Sequence, residues 1–234
     1  PETWPSKYPF CGGQRQSPIS IILANAVLPS ADLNPSVYFN YYDLAPQQMS
    51  LVNNGKTITL TATWNGPKRP TIKGTVLDGE YVWEALHFHW GADEYEGSEH
   101  TINGERFPME MHMVHSKKAY GSLSKALTHD DGISVVGFVF EIQENKNPTF
   151  ELLIEAAKKI IDPRNPPVTL SPFPLEKLAI PFSRNYVSYL GSLTTPPCSE
   201  IVTWIVNLKP LGVSKTQVRD NNKLADFRGV RRRF

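Results

Sequence analysis

Several features that mark specialised classes of protein are scarce in this sequence. Its 234 residues include only two cysteines, and 24 Lys and Arg residues nearly balance 23 Asp and Glu residues. The net charge of +1 gives no reason to expect a nucleic acid as partner. No run of about 18 apolar residues is present, so no membrane span is expected in this chain. The first residues, Pro1 to Trp4, have neither a basic start nor an apolar run, so we expect no signal peptide.

Proline, glycine and short apolar segments are abundant by contrast. Twenty prolines and 15 glycines divide the chain into short pieces and disfavour long helices. Residues 57–63 alternate between polar and apolar side chains, as a half-buried strand does. Segments rich in β-branched, aromatic or other apolar residues predict further strands at 81–90, 107–116, 133–143 and 201–208.

The helices are expected to be few and peripheral. Apolar residues from Phe150 to Ile161 recur at helical spacing, and Asp162 and Pro163 end the pattern, which predicts a helix over 150–161. A shorter helix is expected near 122–128. No internal repeat or linker divides the chain, so the sequence predicts a single domain over 1–234. Its fold class is α+β and β-dominated, with a large central sheet and peripheral short helices.

Four of the six histidines lie in two short apolar strands. Side chains alternate across a strand, so His87 and His89 share one face while Leu86, Phe88 and Trp90 share the other. Two imidazoles about 7 Å apart along a strand can converge on one ion. The apolar residues behind them can pack into a core and stiffen the strand.

The second strand can complete a metal site. Glu110, His112 and Val114 share one face there, which supplies a third imidazole with a carboxylate beside it. A carboxylate that accepts a ring N–H fixes the tautomer of a ligating histidine. Three neutral nitrogens without a thiolate leave one position open, as in catalytic zinc sites. Spacing alone leaves the alternative open that these are hydrogen-bonded core histidines.

Five motifs occur in order along the chain. They are Gln16-Ser17-Pro18-Ile19, His87-Phe88-His89-Trp90-Gly91, Gly97-Ser98-Glu99-His100-Thr101, Glu110-Met111-His112, and Gly191-Ser192-Leu193-Thr194-Thr195-Pro196-Pro197 with Val202-Thr203-Trp204. Together they resemble the α-type carbonic anhydrase family, and the matches run from Trp4 to about Arg228. The resemblance implies a mostly antiparallel, twisted, ten-stranded central sheet with a conical cleft that reaches its middle. It also implies zinc-dependent, reversible hydration of CO2 to bicarbonate and a proton by zinc-bound hydroxide.

The resemblance implies roles for the residues around the metal. Thr194 would accept a hydrogen bond from the hydroxide and donate its own proton to Glu99, and Thr195 would face the substrate. Sulfonamide-type inhibitors are expected to bind at the same place. The apolar pocket for CO2 would comprise Val114, Val135, Leu193, Val202 and Trp204.

Two further residues are expected to support the ligands from behind. By resemblance, Glu110 would orient His112, and His100 would have a structural role next to the site. The resemblance leaves a second function open, that of a noncatalytic family member acting as a matrix or storage protein. Loss of a zinc histidine commonly marks such members, and His87, His89 and His112 are all present here.

The sequence departs from the family pattern at two places near the site. The most active members have a histidine where Lys56 stands, which carries a proton from the zinc to buffer. An ammonium group is already protonated at neutral pH, so Lys56 is a weak shuttle and proton transfer is expected to be slow. The family often has glutamine at Ala85, beside the first zinc histidine. A backbone group or water is expected to orient His87 instead. Both termini are also shorter than is usual in the family.

The cysteine count alone leaves a disulfide and two free thiols both open. By resemblance, Cys11 and Cys198 match the pair that is bridged in secreted and membrane-anchored members, and a bridge implies an oxidising compartment. We therefore expect an extracellular or secreted protein, with any membrane anchor on residues absent from this chain. A monomer or a dimer is expected.

Overall fold

The structure is a computed structural model that describes residues 2–27, 36–91, 93–178 and 181–219. Short α-helices lie at α1 (Trp4–Lys7), α2 (Leu123–Ala126) and α3 (Pro148–Ala157), and residues 215–219 are also helical. Single 3-10 turns lie at Pro9–Gly12, Leu23–Asn25, Lys118–Tyr120, Lys158–Ile160 and Leu175–Lys177. The strands are β1 (Ser20–Ile21), β2 (Val37–Asn40), β3 (Gln48–Asn53), β4 (Ile58–Thr63), β5 (Thr71–Gly74), β6 (Tyr81–Trp90), β7 (Thr101–Ile102), β8 (Glu105–Arg106), β9 (Met109–Lys117), β10 (Ile133–Gln143), β11 (Val168–Leu170), β12 (Tyr186–Gly191) and β13 (Val202–Ser214).

One large mixed sheet organises the domain, which confirms the expected β-dominated fold. Ten strands form it, in the order β11-β3-β4-β6-β9-β10-β13-β12, with β5 pairing β6 and β2 pairing β5 at one side. Within this sheet the β10–β13 pair is parallel, and the other pairs are antiparallel. A small second sheet joins β1, β7 and β8. The long central strands β6, β9 and β10 therefore lie at the middle of the molecule, where the sequence predicts the metal site.

The two faces of the central strands bury different side chains. On β9, Met109, Met111 and Met113 are fully buried in the main core, which α3 covers. The opposite face of β9 and β10 contributes Val114 and Val135 to a smaller apolar cluster. Strict alternation along β9 thus directs Glu110, His112 and Val114 away from the main core, as the sequence predicts.

A β-bulge in β6 corrects the phase of its side chains. Trp83 lies opposite His115, but the next register pair joins Ala85 to Val114, so one extra residue of β6 is inserted there. Trp83 and Leu86 consequently both face the main core although they are three residues apart. Without the bulge, strict alternation from Trp83 would direct the two histidines of β6 into the core.

The strand and helix bounds differ from the sequence expectation by a few residues at several ends. β13 runs six residues beyond the predicted end at 208, because a register shift opposite Phe138 and Phe140 takes up Pro210, which has no N–H to donate. α3 begins two residues earlier than predicted because Pro148 occupies its first turn and Asn147 Oδ1 accepts from the Phe150 N–H at 3.1 Å. Among the residues described, no helix has both the length and the apolar character needed to cross a membrane.

Candidate metal centre and cleft

Three imidazoles from two neighbouring strands meet at the middle of the sheet. His87 and His89 lie on β6, and His112 lies on β9 directly opposite His87. The ring centroids are 5.0 Å apart for His87–His89, 5.2 Å for His87–His112 and 4.4 Å for His89–His112. One nitrogen of each ring lies within 4.8 Å of the others, a spacing that could hold a metal ion. The structure brings the three predicted ligands together.

The carboxylate of Glu110 fixes the ring of His112 from behind. Glu110 Oε1 lies 2.6 Å from His112 Nε2, and both side chains are buried. An ionised carboxylate only accepts hydrogen bonds, so Nε2 must be the protonated nitrogen and Nδ1 is left for a metal. Burial raises the pKa of Glu110, but the imidazoles of His100 and His112 outweigh it and hold that pKa well below its usual range.

Every oxygen of Glu110 has donors around it. Oε1 also lies 2.6 Å from His100 Nδ1, and Oε2 accepts the backbone N–H groups of Glu99 and His100 at 2.9 and 2.8 Å. Because Oε1 accepts from both imidazoles, His100, Glu110 and His112 form a hydrogen-bonded triad rather than a second metal site. His100, expected next to the site, thus contacts the same carboxylate as the ligand His112.

Tyr189 and Ser17 belong to this network, although the sequence alone does not identify either as a functional residue. Tyr189 Oη on β12 lies 2.6 Å from His100 Nε2 and 3.0 Å from Ser17 Oγ. Burial raises the pKa of the Tyr189 phenol, so it stays protonated. Ser17 is part of a recognised motif, but no role follows from its spacing. Tyr189 carries no local signal, since only the pairing of β12 with β13 brings it here.

Glu99 lies beside the ligands. Its carboxylate oxygens are 3.2 Å from His89 Nδ1 and 3.7 Å from His112 Nδ1, and its side chain is fully buried. A second buried carboxylate next to the imidazoles lowers the cost of placing a cation among them.

The cleft over the three histidines has one apolar and one polar wall. Trp204, whose indole N–H donates to Ser192 O at 3.0 Å, packs at ring-centroid distances of 4.8 Å from His112 and 4.9 Å from His100. Val202, predicted to line the pocket, is buried in the cluster behind Trp204 and is absent from the lining. The apolar wall comprises Val114, Val135, Leu193 and Trp204, and the polar side comprises Asn54, Lys56, Thr57, Thr59, Thr194 and Thr195.

The donor set fits a zinc ion. Three imidazole nitrogens, one of them fixed by a carboxylate, converge at the base of a cleft where no thiolate is present, because both cysteines are bridged to each other. This is the ligand set of a catalytic zinc site, in which a fourth position faces the substrate. A structural zinc site would close that position with a fourth side chain.

Comparison with known proteins agrees with this geometry. The model of the eukaryotic-type carbonic anhydrase family matches residues 1–232. The chain belongs to the carbonic anhydrase family. It is 38% identical to carbonic anhydrase 7 of Mus musculus over 219 residues, which is 93% of this chain and 80% of that protein. It is 36% identical to carbonic anhydrase 6 of Mus musculus over 218 residues, 92% of this chain and 66% of that protein. The identity to carbonic anhydrase 3 of Rattus norvegicus is 34% over 220 residues, 93% of this chain and 81% of that protein.

This member of the carbonic anhydrase family has the expected disulfide. Cys11 and Cys198 are bridged across 187 positions of sequence. Cys198 follows closely after Thr194 and Thr195, so the bridge ties the N-terminal segment to the part of the chain that lines the cleft. Constraining so large a loop stabilises the folded state by up to about 5 kcal/mol in the chain-entropy model.

Lys56 and Ala85, the two departures from the family pattern, both lie close to the candidate site. Lys56 is exposed and lines the cleft at its polar side. The turn that carries it is held by Asn54 Oδ1, which accepts from the N–H groups of Lys56 and Thr57, each at 2.9 Å. Ala85 pairs with Val114 directly after the bulge of β6. A methyl group there offers no hydrogen bond to His87, so the role of another orienting group stays a prediction.

Proposed function

We propose that this carbonic anhydrase family member is a zinc lyase that reversibly hydrates CO2 to bicarbonate and a proton. The observation that carries the proposal is the convergence of three imidazole nitrogens within 4.8 Å of one another beside an apolar wall. Water plus CO2 gives bicarbonate and one proton, so the site needs a nucleophile, an apolar place for CO2 and a route for the proton. The three histidines, the apolar wall and the polar side of the cleft would serve these three needs in turn.

His87, His89 and His112 would hold the zinc. When bound, zinc lowers the pKa of a water molecule toward 7, a value for which carbonic anhydrase is itself the standard example. Glu110 keeps the His112 proton on Nε2, so that Nδ1 remains available to the metal.

Thr194 and Glu99 would orient the reacting water. If the Thr194 hydroxyl donates its proton to the Glu99 carboxylate, its oxygen can only accept a hydrogen bond from the water. One lone pair of that water is then directed at the substrate. Correct orientation of the reacting atoms lowers the activation free energy and so raises the rate. Thr195 is proposed to face bicarbonate.

The apolar wall would receive CO2, and the polar side would release the proton. CO2 has no net charge and gains little from hydrogen bonding, so Val114, Val135, Leu193 and Trp204 are suitable neighbours. Val202 would act only from behind this wall. Lys56 stands on this polar side where the most active members have a histidine to carry the proton, and we therefore propose that proton transfer limits turnover.

A stopped-flow assay of CO2 hydration tests the proposal. The purified protein should bind one zinc and hydrate CO2, lose the activity with a chelator and regain it with added zinc. His129, which is exposed and stacks on Tyr120, offers a matched control: His129→Gln should retain full zinc and full activity. Stoichiometric zinc without CO2 hydration would instead support the noncatalytic alternative of a matrix or storage protein.

We further propose that the protein is extracellular or secreted. The Cys11–Cys198 bridge supports this, since such bridges persist in oxidising compartments. Thiol titration of the unfolded, unreduced protein should find no reactive thiol, and two reactive thiols would contradict the proposal. Aromatic sulfonamides should inhibit the enzyme, and light scattering should find a monomer or a dimer.

A further inference from the structure

The threonine loop (residues 193–199) carries Thr194 and Thr195 to the cleft, and the N-terminal segment holds it at both ends. At the start of the loop, Ser17 and Ser192 exchange two hydrogen bonds. The Ser17 N–H donates to Ser192 Oγ at 2.9 Å, and the Ser192 N–H donates to Ser17 Oγ at 3.0 Å. These two hydrogen bonds hold the start of the loop, so its orientation depends on what holds its other end.

Glu200 fixes that other end through a carboxylate with several donors. Glu200 Oε1 accepts the Arg15 backbone N–H at 2.6 Å and the Gln16 side-chain amide at 2.9 Å. The Arg15 guanidinium lies 3.6 Å from Oε2, and the Gln16 amide also lies 3.4 Å from Cys198 O. The Arg15 backbone N–H is the main cause of a lowered pKa of Glu200, which keeps the carboxylate ionised. We call Glu200 with Arg15 and Gln16 the Glu200 clamp.

The disulfide crosses the same junction. Cys198 lies two residues before Glu200, and its partner Cys11 lies a few residues before Arg15. The covalent bridge and the Glu200 clamp therefore constrain the same pair of segments in parallel. Once one constraint has joined the segments, the second removes little further freedom, so removal of either alone should have a small effect.

We propose that Glu200 is a positioning residue for the threonine loop, and that the Glu200 clamp and the disulfide can each hold Thr194 and Thr195 in place without the other. The proposal rests on the proposed function only for its activity readout. Its consequence is that the enzyme tolerates reduction of its disulfide as long as the clamp is intact, and becomes sensitive to reduction when the clamp is broken.

Gly13 supplies independent evidence that the clamp needs its space. The backbone of Gly13 is ordinary (φ −71°, ψ −179°), so no special conformation requires glycine there. A Cβ at Gly13 would lie 2.1 Å from Glu200 Oε1 and 3.0 Å from Gln16 Nε2. The missing side chain makes room for the Glu200 carboxylate. Gly13→Ala should therefore displace that carboxylate without changing any residue of the threonine loop.

The neighbouring glycine offers a matched control. A Cβ at Gly12 would lie 3.5 Å from the Cβ of Pro5, which is an ordinary contact. Glu200→Ala, Gly13→Ala and Gly12→Ala are compared with the unaltered protein, each zinc-loaded, with the bridge closed or opened by a thiol reductant. Thiol counting verifies opening, and Cys11→Ser opens the bridge without a reductant.

Two measurements read out the loop. The first is kcat/KM for CO2 hydration per bound zinc, well below the unfolding temperature. We expect opening the bridge to change it less than about twofold in the unaltered protein and in Gly12→Ala, but to lower it about tenfold or more in Glu200→Ala and Gly13→Ala. The second is hydrogen exchange of residues 192–200, which should accelerate only where both constraints are absent.

Two results would overturn the proposal. One is an equal effect of bridge opening on Glu200→Ala and on the unaltered protein in both measurements. The other is an activity loss that vanishes when it is expressed per bound zinc, since this indicates general destabilisation. If no form hydrates CO2, the proposed function fails, whereas hydrogen exchange of residues 192–200 still decides whether the clamp holds the loop.

Discussion

Two histidines three positions apart on β9 have opposite surroundings. His112 faces the cleft, where its Nε2 is held by Glu110 and its Nδ1 is directed to the ligand group. His115 faces the main core, where its Nε2 lies 2.5 Å from Tyr42 Oη. Both side chains are buried, at 1% and 0% exposure. Burial alone therefore does not distinguish a metal ligand from a core histidine.

The difference lies in what the partner does to the ring. Glu110 is charged and only accepts, so it fixes a proton on one nitrogen of His112 and raises the basicity of the other. Tyr42 is a neutral partner in an apolar core, and burial lowers the pKa of His115 to about 3. The first ring is prepared for a cation, and the second is kept neutral.

Replacing the two histidines should have opposite consequences. His112→Gln should remove a zinc ligand and lower kcat/KM for CO2 hydration by more than about a hundredfold, beyond the loss typical of an outer partner. His115→Leu should leave kcat/KM nearly unchanged but lower the free energy of unfolding by about 1–3 kcal/mol, because the Tyr42 hydroxyl loses its partner in the core. Stopped-flow kinetics and urea unfolding measure the two quantities. A large activity loss in His115→Leu at full zinc content would contradict the contrast.

Glu110→Gln should weaken zinc binding by about 10- to 100-fold. A glutamine offers one accepting oxygen, whereas both oxygens of Glu110 face two N–H donors. In either orientation its NH2 group would face donors, and the ring of His112 would lose its fixed proton. Competition with a chromophoric chelator gives the affinity. Glu105→Gln, an exposed carboxylate on β8, is the matched control and should bind zinc normally.

The stability of the metal-free protein should depend on His115 below neutral pH. Its pKa is about 3 in the folded state and near 6.5 when unfolded, so the unfolded state binds the proton more readily. This contribution to stability is fully present above pH 6.5 and is lost as the pH falls toward 3. Between pH 7 and 5 the free energy of unfolding should fall by about 2 kcal/mol for this reason. Urea unfolding should show this slope in the parent and a smaller one in His115→Leu; equal slopes would refute the assignment.

A histidine at the cleft mouth should behave differently from both. Lys56→His places an imidazole at an exposed position of the cleft, where it can exchange protons with buffer near neutral pH. We expect kcat in weak buffer to rise several-fold, within the roughly hundredfold that a positioned acid–base group contributes. kcat/KM should change little. Lys56→Gln, which removes the charge without adding a base, should show no such rise; an unchanged kcat in Lys56→His would indicate another proton relay.

The sequence alone was sufficient for the parts of the site that are local. Alternation in Leu86–Trp90 and in Glu110–Val114 assigns each histidine to a face, because a strand has a fixed period of two. Apolar residues on the opposite face, such as Phe88 and Met111, show which face is the core. The family motifs predict the roles that spacing left open.

The remaining parts depend on contacts between distant segments. Tyr189 reaches His100 only because β12 pairs with β13, and nothing within β12 marks that tyrosine. Val202 and Trp204 were both predicted to line the pocket, but only Trp204 is among the residues that line the cleft. β13 continues to Ser214, beyond the predicted end at 208, because a register shift absorbs Pro210.

The bulge of β6 makes the length of a short segment as important as its composition. Between Trp83 and Leu86 the chain contains one residue more than strict pairing needs. Deleting that residue would make the pairing regular and keep His87 and His89 in the cleft. Inserting one residue after the bulge would instead rotate the rest of the strand by half a turn, so that His87 and His89 enter the core and Phe88 enters the cleft. Substitutions at this site therefore test its chemistry, whereas single insertions and deletions test its phase. Measuring which single insertions and deletions along β6 still allow zinc binding would show where the strand must keep its phase, without any change of a ligand.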